Sequence, residues 1–435
     1  MRNVKTPALK PNYRWLPIVL GALLVILSVY VTSLGDLTKE IPRFLTVFGV
    51  MFGLYAAAIL LLSRRHGPHR QTLILIFVVA IACRVVYLTS TPTLSNDIYR
   101  YLWEGRAVQA GFNPFAYPPE ASELESLRDD NYDSIHHRHL ETIYPPLAQA
   151  AFYLGAIISP KVKVQRAIFV FFDMATMVLI VLLLRHRRRN VNLCAVYGWS
   201  PLVMLEFSHS GHMDSLGIFF LVLAVLLFHL AKKSFAVASL ALSFVAKYFS
   251  AVLLPFLVCK KGYLKWLPVF ALIVVVAYVP FAGAPSKLVS SLAVYGRQWE
   301  FNSLIYTAAR QLSWSPDWIR LTLMAVVVLF ALYQGYRLND LVRYSYRVLG
   351  IALLLSPTIY PWYLCWIVPF LCFHPSRAWL LLTGAIVISY WVWVSFAATG
   401  NWEVGIRLLL IEYVPFLSIL VYESYRSRTL RGVES

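Results

Sequence analysis

Charge is scarce in this chain, and acid is scarcer than base. Of 435 residues 14% are charged, against about 25% in soluble domains, and 21 acidic residues face 39 basic ones. That shortage excludes an ordinary water-facing surface. Cysteine is also sparse. Cys83, Cys194, Cys259, Cys365 and Cys372 sit in or at the ends of apolar runs, and none has metal or redox spacing. They read as packing residues, and no metal or cofactor is expected. A glycine-rich phosphate loop is missing, which argues against a nucleotide-sugar site. There is no evident repeat and no soluble domain. No small-residue cleavage site follows the first apolar run, so the N-terminus reads as a retained anchor.

What is present is hydrophobicity: 59% of residues, with a mean hydropathy of +0.65. A membrane span needs about 20 apolar residues, because the hydrocarbon core is ~30 Å thick. Such runs recur from Trp15 to Tyr422. The expected fold is an all-α, polytopic transmembrane bundle in one domain, 1–435. The net charge of +18 does not indicate nucleic acid. Its clusters are short: Ser63–His66, Arg185–Arg189, Lys232-Lys233, Lys260-Lys261 and Arg426–Arg431. Basic short loops mark the cytoplasmic side of the membrane.

Using those loops as a compass, both termini lie inside. Residues 15–90 hold three spans, and 91–165 form a first outer loop. Both Thr142–Ser159 and Arg166–Leu184 are apolar, but if both crossed, Arg185–Arg189 would lie outside. Only Arg166–Leu184 therefore crosses, and the helix starting at Tyr144-Pro145-Pro146 lies in the interface. Ser208–Asp214 is an outer turn. Phe235–Val258 has lysines at both ends and reads as a re-entrant pair broken near Lys247 and Pro255. Residues 282–316 form a second outer loop. Segment 166–435 carries the remaining spans, for about twelve crossings in all.

Polar groups converge on the outer face. Over Asp97–Gln109, Ile98, Tyr101, Leu102, Gly105 and Val108 share one helical stripe, with Asp97, Arg100 and Glu104 beside it. Capping would account for Asp97 alone. Arg84 lies deep in the third span, and Lys247 interrupts an apolar segment; charges at such depth usually have a function. His209, His212 and Asp214 share one turn, a weak metal signal that capping of the next helix by Asp214 also explains.

The run Ser95–Gly105 (SNDIYRYLWEG) resembles the first outer loop of GT-C-fold membrane glycosyltransferases, most closely bacterial polyprenyl-phosphate-mannose-dependent mannosyltransferases. Similar stretches follow in matching order at Asn113–Phe115, Thr142–Leu147, Gly211–Asp214, Ala246–Tyr248, Arg297–Asn302 and Pro361–Tyr363. Asn96 stands where many relatives have a second Asp, and Met213 where many have Asn. The resemblance implies inverting transfer of a sugar, mannose foremost, from a polyprenyl-phosphate donor to a hydroxyl of a glycan, glycolipid or other acceptor on the outer face. A lipid phosphate leaves without an acid, so one base and one cationic clamp suffice, unlike the carboxylate pair of glycoside hydrolysis. Asp97 is the expected base. Arg84, Arg100, Lys247 and Arg297 are candidates for the phosphate. Tyr99, Glu104, Tyr144, His212, Asp214, Trp299, Asn302 and Trp362 are candidate substrate contacts. A transporter or flippase of lipid-linked sugars is the alternative, although transporters place their sites near mid-membrane and often show repeats.

Overall fold

The computed structural model describes residues 15–64 and 70–432, with side chains to 426. The basic N-terminus, most of the Ser63–Arg70 loop and the end of the basic tail fall outside these residues. Helix accounts for 76% of the structure, and no strand occurs among the described residues; a lone parallel bridge joins Phe301 to Thr358.

Three helices open the fold, α1 (Leu16–Ser33), α2 (Ile41–Ser63) and α3 (Arg70–Leu88). In α1, Leu20, Leu24, Ser28 and Val31 recur on one buried stripe, while Ile18, Ile26 and Val29 stay exposed, as expected where lipid replaces water. Next come α4 (Asp97–Gln109), α5 (Pro146–Ile158) and α6 (Val162–His186). At 13 residues, α5 is ~20 Å long. That is too short to cross, in keeping with its expected interfacial place.

The segment read as one span over Asn192–Phe207 is instead built in pieces: a 3-10 turn Val191–Cys194, α7 (Ala195–Gly198), α8 (Pro201–Met204) and a π-helical turn Leu205–His209. Helices α9 (Asp214–His229) and α10 (Lys233–Ala246) form a hairpin. At Lys247 the backbone is extended (φ −156°, ψ 127°). A 3-10 turn, Tyr248–Leu253, and α11 (Leu254–Cys259) then lead back, with Pro255 in the first turn of α11. The break expected near Lys247 is therefore present. Beyond it lie α12 (Lys261–Leu264), α13 (Leu267–Tyr278), α14 (Ser290–Gln298), α15 (Leu304–Arg310), α16 (Pro316–Arg337), α17 (Leu341–Leu355), α18 (Val368–Leu371), α19 (Arg377–Ala385), α20 (Val392–Thr399) and α21 (Ile406–Gly432).

Among the described residues, seven segments are long and apolar enough to cross a membrane: 16–33, 41–63, 70–88, 162–186, 261–281, 316–337 and 377–399. This is fewer than the twelve or so expected, because stretches such as 191–209 and 361–371 are apolar but fold in short pieces.

The bundle has two chemically different ends. At one, Arg187 grips Asp340 at 2.7 and 2.6 Å, His229 stands 3.6 Å from the same carboxylate, and Lys260 bonds Asn339. The loops after α6, α9, α11 and α16 therefore gather there. At the other end of α9, 16 residues and ~24 Å away, lies Asp214, and with it the polar groups described next.

Candidate active site

Asp97 is placed by a close helix crossing. A Cβ on Gly105 would sit 2.3 Å from the Phe152 carbonyl oxygen, so only glycine lets α4 lie this near α5. Further bonds fix the rest. Glu104, 1% exposed, accepts from Arg100 Nε at 2.6 Å, Thr142 Oγ1 at 2.8 Å and Gln149 Nε2 at 2.5 Å. Arg100 also donates to the Leu140 and His137 carbonyls. Asp97 is the first residue of α4, and the cap position belongs to Asn96. Its carboxylate is not spent on capping.

The 205–214 segment is shaped around a tight approach. The π-helical turn gives way to Gly211, at φ +77°, where a Cβ would lie 2.6 Å from Arg166 Cγ. Arg166 holds the turn by donating to the Ser208, Ser90 and Tyr87 carbonyls. π-Helical turns occur frequently at functional sites. Here the turn delivers two groups. Asp214 accepts from Lys247 Nζ on both oxygens at 2.7 Å and from Trp366 Nε1 at 2.6 Å. It pairs rather than caps. His212, fully buried, presents Nδ1 3.6 Å from Asp97 Oδ2 and Nε2 3.4 Å from Glu206 Oε2.

Aromatic side chains enclose this set. His212 stacks on Trp362 (3.8 Å between centroids), Trp362 on Tyr360 (4.4 Å) and Tyr360 on Phe301 (4.4 Å). The Lys247 ammonium lies 4.9 Å above the Tyr363 ring, and the Tyr363 and Tyr295 hydroxyls meet at 2.6 Å. Asp97 keeps 39% of its side-chain surface accessible although protein packs densely around it, which marks a carboxylate on the wall of a recess. Burial lifts its pKa to about 6; the Lys247 charge opposes this, the Asp214 charge adds to it, and a bond to Tyr101 and the Arg100 charge oppose it again. Lys247, 20% accessible, is the cation with the largest effect on Asp97.

The structure thus sorts the expected residues. Asp97, Lys247, His212 and Asp214 come together. Arg84 does not join them. It is 1% exposed, bonds Asp173 at 2.5 and 3.3 Å and donates to the Ala80 and Gly198 carbonyls, so it is sealed among protein groups away from a phosphate. Arg100 and Glu104 are committed to each other and to the loop. Asn302 is 4% exposed, left-handed (φ +50°), and donates to Glu412 at 2.8 Å; it anchors the second loop. Trp362 is stacked on by His212 and Tyr360, and His212 is buried, so neither offers a stacking surface to a sugar. Tyr99 and Tyr144 remain partly open beside α4. Trp299 packs against His137 (4.8 Å) and Tyr295 (5.2 Å). Arg297 is exposed.

Sequence reasoning missed Glu206, Tyr390 and Asp173. Each lies inside an apolar run; for Glu206 and Asp173 the available signal is an acid in a stretch that otherwise avoids charge, and Tyr390 carries no such signal. Glu206 is 0% exposed and accepts from the Tyr390 hydroxyl at 2.8 Å. Its Oε2 and both His212 ring nitrogens have no hydrogen-bond partner among the described residues. A buried polar atom left unpaired costs about 1–3 kcal/mol, an expense more usual at a reaction site than in a structural core.

No curated protein and no solved structure matched this chain. Residues 18–261 match the family model for the alpha-(1->6)-mannopyranosyltransferase N-terminal domain, a stretch that carries Asp97, His212, Asp214 and Lys247. The chain belongs to this mannosyltransferase family and is a glycosyltransferase of the membrane.

Proposed function

We propose that the enzyme moves mannose from a polyprenyl-phosphate donor to an acceptor hydroxyl, in one inverting displacement at the end of the bundle opposite Arg187. Asp97 takes the hydroxyl proton as the acceptor oxygen attacks the anomeric carbon. The carbon–oxygen bond to phosphate breaks, and the phosphate leaves carrying its lipid. No acid is needed. The developing charge meets Lys247, whose ammonium is oriented by Asp214 and Tyr363. The family's description as an alpha-(1->6)-mannopyranosyltransferase supports attack by an acceptor's 6-hydroxyl to give an α product; inversion then requires a β-linked donor. With the basic loops inside, the recess opens on the outer face of a bacterial inner membrane, where a lipid carrier presents phosphate at headgroup depth and sugar to water. Interrupted stretches such as 191–209 and 361–371 would supply the crossings beyond the seven long ones.

The observation that carries this reading is the pairing of roles in one recess. Asp97, with a pKa of about 6, is mostly ionised at neutrality yet more basic than an ordinary carboxylate, as a general base should be, and a cation stands beside it. A transporter needs no such base. The test supplies purified protein with polyprenyl-phosphate mannose and a mannoside acceptor, and measures released polyprenyl phosphate. Wild type should release it, and Asp97→Asn should not while still binding donor. Equal release by both would remove Asp97 from its role.

A further inference from the structure

We propose that His212 and Glu206 are positioning residues for Asp97, and that His212 does not contact the substrate; this rests on Asp97 being the base. The three side chains stand in line. Asp97 Oδ2 faces His212 Nδ1 at 3.6 Å, His212 Nε2 faces Glu206 Oε2 at 3.4 Å, and Glu206 Oε1 takes the Tyr390 hydroxyl at 2.8 Å. Glu206 and His212 come from one segment, the π-helical turn and the residues that follow it, while Asp97 is brought by α4 and Tyr390 by the 3-10 turn Ile386–Trp391. The meeting of these three segments is not imposed by local sequence.

His212 is fixed in every direction. Trp362 covers one face at 3.8 Å with the rings 16° from parallel, and its backbone N–H donates to the Glu206 carbonyl at 2.9 Å. Gly211 before it is left-handed and pressed on Arg166. With 0% exposure, the ring cannot reach a sugar. It can reach Asp97. An imidazole that donates its Nε2–H to Glu206 turns its Nδ1 lone pair toward Asp97. Once Asp97 has taken the acceptor proton, its new O–H turns to Nδ1, its one fixed acceptor. The proton remains on Asp97, held away from the newly bonded acceptor oxygen. The present separations exceed hydrogen-bond length, as catalytic contacts commonly do before substrate arrives. The other charged groups around the ring are Lys247 and Asp214, which pair with each other; burial first, and then the Lys247 charge, disfavour a protonated ring, so His212 acts neutral.

The experiment measures kcat and donor KM across pH for His212→Gln, Glu206→Gln, Asp97→Asn and the double variant Asp97→Asn/His212→Gln, with thermal unfolding as the folding check. Removing a partner that orients a catalytic ligand typically costs about 10–100-fold. The expected result is a kcat loss of that order in His212→Gln and Glu206→Gln, donor KM within about threefold, and a shifted acid limb of the pH profile. The double variant should be no slower than Asp97→Asn, because His212 acts through Asp97. Glu206→Gln keeps shape and stands in if His212→Gln does not fold. Wild-type kcat in the folded variants, a loss confined to KM, or an additive double variant overturns the proposal. An Asp97→Asn with wild-type kcat overturns the underlying assignment instead, and so the two failures are told apart.

Discussion

Two sets of buried charge in this enzyme look alike in composition and differ in completeness. Arg84 and Asp173 lie between α3 and α6, 1% and 0% exposed, and Arg84's bonds beyond Asp173 go to backbone carbonyls. Asp97, Lys247 and Asp214 lie at the end of the bundle. There Lys247 and Asp214 satisfy each other, while the Asp97 carboxylate has only contacts of 3.6 Å or a bond from its own helix. A charge deep in a membrane protein is expensive wherever it is. The first set offsets that expense completely and holds two helices together. The second leaves one acid open on a recess. Depth alone does not mark a reactive site; an unfinished set of partners does.

The largest effect should come from breaking each set in turn. Asp97→Asn should cut kcat by about 10²–10⁴-fold without lowering the unfolding temperature. Asp173→Asn should do the reverse. Leaving Arg84 buried without its partner costs about 3–5 kcal/mol, read as a lower unfolding temperature in detergent, while the molecules that remain folded keep wild-type kcat per active site. If Asp173→Asn abolished turnover in well-folded protein, the two sets would not be distinct.

Next in size is Lys247→Met. Loss of one preorganised group that stabilises developing charge costs about 10²–10³ in kcat, and donor KM should rise as well. Lys247→Arg should recover only part of this, since a planar fork does not reproduce an ammonium shared between two carboxylate oxygens and a Tyr363 face.

A smaller effect, tenfold per pH unit, separates the sets by titration. If Asp97 is the base it must be ionised to act, and kcat/KM should then fall tenfold per unit below pH about 6, the pKa that burial gives it. Stability moves the other way. The folded state holds the Asp97 proton up to about pH 6 and the unfolded state only to its ordinary value of 3.8. Between those values the folded state binds more protons, so the Asp97 contribution falls as pH rises. Asp97→Asn should thus be stabilised relative to wild type above pH 6 and indistinguishable from it below pH 3.8. An acid limb that survives in a slow but active Asp97→Asn would assign that limb to another group.

The same contrast explains which features the amino-acid sequence carries by itself. Long spans are legible, because uninterrupted apolar length is a property of sequence; so is the break at Lys247, a charge where the chain has no other reason to place one. Asp97 is legible as an acid at a helix start, but capping would account for it, and only the resemblance singles it out. The fate of Arg84 is not. Its partner is 89 residues away, and Asp173 looks like any acid near a helix middle. Nor is the 191–209 segment legible as short pieces, since its composition is that of a span and only tertiary contacts, such as the Arg166 grip on Ser208, bend it into a π-helical turn. The residues expected to touch substrate at 104, 212, 302 and 362 share a type of error: side chains able to bind a sugar are equally able to bind one another, and burial, which decides between the two, is not written in a motif.

The smallest expected effect tests the rim of the recess rather than its floor. Arg297 closes the helix α14 that carries Tyr295, and it is exposed with no side-chain partner among the described residues. If the donor phosphate is held by Lys247 alone, Arg297→Ala should leave kcat and KM unchanged. If Arg297 reaches the phosphate as the donor arrives, an exposed ion pair of up to about 1 kcal/mol raises donor KM by about fivefold and leaves kcat alone. That difference should shrink as salt is raised from ~0.01 to ~1 M, because the screening length falls from ~30 to ~3 Å. Lys247, packed against Asp214 and Tyr363, should be far less sensitive to salt. The salt series therefore distinguishes a cation that meets the phosphate in water from one that meets it inside the protein, and a salt-dependent Lys247 would show that the recess is wetter than its packing implies.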